Sequence, residues 1–124
     1  MEKRQGEAMQ DGWWVLTTRW GVDIVSPTTA ELQGALEELF SAKDPEHPNS
    51  WLRFGRDDGP MFVVDVYEGG TVVFEEWADT EFEFELASPR QLTGATRATA
   101  LRLWELLRQG DLPAVRAADW SAER

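Results

Sequence analysis

The sequence contains no cysteine, which excludes a disulfide framework, a thiol nucleophile and every thiolate metal site. It has one histidine, His47, in the proline-flanked stretch Asp44-Pro45-Glu46-His47-Pro48. A Ser-His-Asp triad or a histidine general base would have to be built there, and such a loop does not offer the rigid support that base needs. One histidine without cysteine also argues against a zinc site. No apolar run approaches the ~20 residues that cross a bilayer. The polar opening Met1-Glu2-Lys3-Arg4 leads into no apolar signal segment, so a cytoplasmic protein is expected. Gly69-Gly70 lies between two strand-like runs, with no helix N-terminus to cradle a phosphate, and Asp57-Asp58-Gly59 lacks the spacing of a calcium loop. Paired carboxylates for glycoside hydrolysis need a cleft, whereas Glu81, Glu83 and Glu85 alternate as if along one exposed face. No catalytic residue, metal or cofactor is assigned, and the expectation is a protein that is not an enzyme.

A further absence is local. Residues 57–85 contain ten acids and no Lys or Arg, and they carry −10 of the net charge of −11. The flanking segments nearly cancel, at −3 for residues 1–56 and +2 for residues 86–124. Solubility accounts for a negative total, but not for the loss of bases from one segment alone. Such a surface repels nucleic acid and anionic membrane and suits a basic protein.

What is present is a core. The chain has 124 residues, 42% of them hydrophobic, and seven tryptophans. That is the size of one domain, able to hide roughly two-thirds of its unfolded surface without metal or disulfide. Residues 1–11 read as a flexible tail and 12–124 as a single α+β domain. The run Trp13 to Trp20 is aromatic and β-branched and predicts a first strand, which Val22 to Val25 either continues or follows as a separate short one. Thr28 and Glu31 have capping-box spacing, with Ser26-Pro27 as the alternative start. Leu32, Ala35, Leu36, Leu39 and Phe40 then form one helical stripe, predicting a helix over 28–41.

Four short segments of period two follow, at 51–54, 61–67, 71–77 and 81–86. Gly69-Gly70 between the second and third predicts an I′ hairpin. In the last, Phe82, Phe84 and Leu86 are expected inward and Glu81, Glu83 and Glu85 outward. Ser88-Pro89 is expected to end the sheet. Thr93 is the expected cap of a second helix with a stripe at Ala100, Leu103, Trp104 and Leu107, closed by Gly110 and followed by a short helical turn. The predicted fold is therefore α+β. It is a mostly antiparallel sheet of about five strands in the order β-α-β-β-β-β-α, with two helices on one face. The other face is left open. There Glu75, Trp77, Asp79, Glu81, Glu83 and Glu85 are expected to form a partner-binding surface, its aromatic serving as anchor.

The chain carries the segment Trp51-Leu52-Arg53-Phe54, the Gly-Gly hairpin and the tail Trp104-x-x-Leu107-x-x-Gly110-Asp111-x-x-x-Val115-Arg116…Trp120, within a likeness that reaches from about residue 13 to 120. In these the chain resembles the immunity proteins of bacterial polymorphic toxin systems. The resemblance implies a cytoplasmic inhibitor, monomeric or in a 1:1 complex, that covers the active site of a cognate basic toxin, often a nuclease or nucleic-acid deaminase. It implies that glutamates would stand where the toxin expects phosphates. The alternative is a small-ligand-binding or enzymatic domain with a pocket between helices and sheet.

Overall fold

The computed structural model describes residues 12–57 and 59–120; the expected N-terminal tail lies outside them. Among the described residues there are six strands: β1 (Gly12–Thr17), β2 (Asp23–Val25), β3 (Asn49–Arg56), β4 (Met61–Tyr67), β5 (Val72–Trp77) and β6 (Glu85–Leu92). The helices are α1 (Thr29–Ser41), α2 (Arg97–Arg108) and the short α3 (Leu112–Arg116). The strands form one sheet in the order β2-β1-β3-β4-β5-β6, every pair antiparallel. The fold is α+β with its helices on one face, as the sequence predicts, and a sixth strand arises because Val22 to Val25 follows the first strand separately instead of continuing it. The additional one is β2, which folds back on β1 after a turn at Thr18–Val22.

Local chemistry explains each helix. Thr28 accepts from the Glu31 amide while the Glu31 carboxylate accepts from the Thr28 amide, a reciprocal capping box. Leu32, Ala35, Leu36 and Leu39 are buried by α1, and Ala100, Leu103, Trp104 and Leu107 by α2. The cap of α2 is Thr96, not Thr93. Residues 93–95 are instead held to the β4–β5 hairpin, where the Ala95 amide donates to the Gly70 carbonyl at 2.9 Å. At the other end Gly110, at φ +74, and Asp111 return their amides to Leu107 and Leu106. This is a Schellman closure. Trp104 is fully buried and its indole N–H reaches the Val64 carbonyl at 3.0 Å, tying α2 to a central strand.

Two turns differ from expectation. In the β4–β5 hairpin only Gly70 has positive φ, and its amide donates to Tyr67. The connection is thus a three-residue loop ending in a left-handed glycine, not an I′ turn. The larger correction concerns residues 78–92. Segment 81–86 is not a strand with an inward apolar face: Phe82, Phe84 and Leu86 are 47%, 66% and 55% exposed. The Asp79 carboxylate accepts from the Glu83 and Phe84 amides, and Phe82 adopts φ +59, so the chain is wound into a loop. Pairing with β5 begins only at Glu85 opposite Trp77 and then continues through Ser88-Pro89. Proline is tolerated there because β6 is an edge strand, whose outer side needs no ladder donor.

Candidate functional site

The two faces of the sheet have different chemistry. Toward the helices run Leu16-Leu52-Val64-Phe74 and Ser50-Val66-Val72, in register across the strands and all buried. Facing away from them are the registered rows Val15-Arg53-Val63-Glu75, Thr17-Trp51-Asp65-Val73 and Trp13-Gly55-Met61-Trp77. Gly55 is required in the last of these, since a β-carbon there would lie 2.1 Å from the Trp13 ring. Among the described residues these rows bring three tryptophans and two carboxylates to a face without a helix, with Asp23 beside Thr17 on β2 and Glu85 beside Trp77 on β6 at its two edges.

The six expected binding residues separate into two groups. Glu75 and Trp77 are half-buried on this face, and the Trp77 indole N–H donates to a Glu75 carboxylate oxygen at 3.0 Å. Glu85 stands opposite Trp77 on β6. Asp79, Glu81 and Glu83 belong to the 78–84 loop instead of a strand, with Asp79 engaged in holding that loop. The loop still adjoins the face, because Phe82 packs edge-on against Trp77 at 5.2 Å.

The ten acids of residues 57–85 are not one solvated set. Glu76 is buried on the helix side between Arg90 at 3.2 Å and Arg116 at 2.9 Å. Glu68 accepts from Arg19 at 2.9 Å and from the Asp44 amide. The missing bases are therefore supplied to these two from distant parts of the chain. Neither pairing is visible as a local pattern. Among the described residues, no base stands within salt-bridge distance of Asp65, Glu75, Glu81, Glu83 or Glu85.

Asp65 was not singled out by the sequence, where it reads as one polar position in an apolar strand. It lies at the centre of the open face and lines a groove of about 400 Å³ with Thr17, Trp51, Arg53, Val63, Glu75 and Phe82. Burial pushes its carboxyl up to about 6, helped by the charge of Glu75 and opposed by hydrogen bonds from Asn49 and Tyr67. Because the folded-state value lies above the unfolded one, the native protein holds this proton more tightly. Stability is lost as pH rises from about 4 to about 6 and does not return above that. Asp65→Asn should therefore stabilise the protein by about 1–3 kcal/mol near pH 8 and by almost nothing near pH 4. Denaturant titrations at the two pH values check this.

His47 hydrogen-bonds Asp44 at 3.1 Å and packs 4.9 Å from Trp20, at the edge of the fold and away from the groove. Among the described residues no group of three or more His, Asp or Glu side chains is arranged to hold a metal ion, and no helix is long and apolar enough to cross a membrane. On the helix side, one recess of about 540 Å³ lies where α2, α3 and residues 92–95 meet. No protein-family model, curated protein or solved structure matches the chain.

Proposed function

We propose that the protein is an immunity-type inhibitor that binds a basic toxin, one acting on nucleic acid, and occludes its active site with the helix-free face of the sheet and the adjoining 78–86 segment. One observation carries this reading: exposed apolar groups and carboxylates with no base beside them among the described residues coincide on neighbouring surfaces. Phe82, Phe84 and Leu86 are exposed beside Glu81, Glu83 and Glu85, next to a face bearing Trp13, Trp51, Trp77, Asp65 and Glu75. Solubility alone favours charge without aromatic exposure. An interface needs both, the apolar groups for affinity and the charges for steering and partner choice. The carboxylates complement the phosphate-binding groove of a nucleic-acid enzyme.

Co-expression with the product of the adjacent gene tests the reading. The expected result is a 1:1 complex that survives purification, protects growth and associates more slowly as salt rises. A chain that binds nothing encoded beside it, yet turns over a small molecule, would contradict it and favour the ligand-binding alternative.

A further inference from the structure

The groove on the open face has a directional chemistry. It crosses from Asp23 on β2 to Glu75 on β5, a span of roughly 19 Å at the usual strand spacing. Trp51 and Val63 line its middle, and Phe82, carried by the loop after β5, lines it together with Glu75. Asp65 pairs with Val73 and Val63 with Glu75, so the two carboxylates sit on diagonal positions of adjacent strands. At that distance, within ~7–8 Å, one flat cation can reach both. Arg53 lines the same groove, is drawn toward Asp23 at 3.8 Å, and keeps a buried Nε–H with no acceptor among the described residues.

We infer that this groove receives one arginine side chain of the partner, its guanidinium seated between Asp65 and Glu75 and its stem lying along Val63 and Trp51. The inference rests on the partner-binding reading above and names the chemistry that reading would use. Arginine fits better than lysine because a planar, weakly hydrated cation can meet two carboxylates edge-on and stack on an aromatic face. The groups around Asp65 are Asn49, Trp51 and Arg53 on β3, Tyr67 on β4, and Val73 and Glu75 on β5, with Asp23 farther along. Only Arg53 among them is cationic, and it leans to the opposite end. A guanidinium would therefore hold Asp65 ionised, and the site should fill more readily as pH rises through about 6.

The test titrates the isotope-labelled protein with ethylguanidinium, in parallel with butylammonium and the neutral ethylurea. The Trp51 indole signal and the Asp65 and Glu75 amides are followed. Expected are saturable shifts with ethylguanidinium in the millimolar range, about tenfold weaker near pH 5 than near pH 7.5. They should be weakened at least about tenfold by Asp65→Asn or Glu75→Gln. Ethylurea should give no saturable shift. Shifts that do not saturate, that ethylurea reproduces or that both substitutions leave intact would overturn the inference. Butylammonium binding as tightly as ethylguanidinium would overturn the choice of arginine. No partner is needed, so failure here leaves the face available as an interface. A positive titration without any complex would instead sink the partner reading alone.

Discussion

Arg19→Met is expected to remove about 3–5 kcal/mol of folding stability. The Arg19 side chain is 2% exposed. Its Nε donates to the His47 carbonyl at 2.9 Å, one terminal nitrogen donates to the carbonyls of Glu38 and Ala42 at 3.1 and 2.8 Å, and the other to Glu68 at 2.9 Å. The end of α1 has no basic residue in its last turn and an extended Ala42 at its cap, so among the described residues the one local side chain that satisfies a last-turn carbonyl is the Ser41 hydroxyl, which donates to Glu38 at 3.2 Å. Arg19 serves the last carbonyls from the turn after β1, and its charge also meets the negative end of the helix dipole. Methionine fills much of the same volume but leaves those carbonyls and the Glu68 carboxylate without the donor. A double-mutant cycle with Glu68→Gln should show strong coupling, the pair costing clearly less than the sum. Urea denaturation measures all three variants. A loss below ~1 kcal/mol for Arg19→Met would mean that water replaces the guanidinium without penalty.

Trp77→Ala is expected to weaken partner binding by about 2 kcal/mol, roughly 30-fold, mainly through faster dissociation. Trp77 shares its row with Met61 and Glu85, contacts Phe82 edge-on and donates to Glu75. It thus joins the sheet face to the exposed loop, the position a central anchor occupies. Being half-buried and outside the helix-side core, it can be removed with the fold intact. Reversing Glu83 and Glu85 to Lys should act differently, slowing association and flattening its salt dependence, because exposed charges act at long range on encounter. Surface plasmon resonance at two salt concentrations separates the two effects. Unchanged dissociation in Trp77→Ala would move the anchor elsewhere.

The contrast between what was legible and what was not follows from the range of the forces. Thr28, Glu31 and the Leu32–Leu39 stripe act within a few residues of one another, so the sequence displays α1 directly. The stripe of α2 and the closure at Gly110 are local in the same way. The alternation of Phe62, Val64 and Val66 does report the helix-side face, because β4 is central and one register satisfies it. The equally regular alternation of Glu81 to Leu86 misleads. The edge position beside β5 is taken by Glu85–Leu92 instead, and Asp79 captures the amides of Glu83 and Phe84 that a ladder would need. The Arg19–Glu68 and Glu76–Arg116 pairs join residues 49 and 40 positions apart and leave no local trace. Charge counting could locate the acidic segment but not separate its buried members from its free ones. Asp65 escaped notice because its importance lies in its neighbours across β3 and β5, and only the strand register reveals those.

The seven tryptophans allow the central claim to be tested in one spectrum. Trp13, Trp51 and Trp77 stand on the open face, Trp14, Trp104 and Trp120 pack with the helix-side core, and Trp20 lies near the end of α1. Indole N–H signals recorded with and without the partner should shift or broaden for Trp13, Trp51 and Trp77, while those of Trp104 and Trp120 stay in place. The reverse pattern, with Trp104, Trp120 or Trp20 perturbed and the three open-face indoles unchanged, would contradict a binding site on the helix-free side of the sheet.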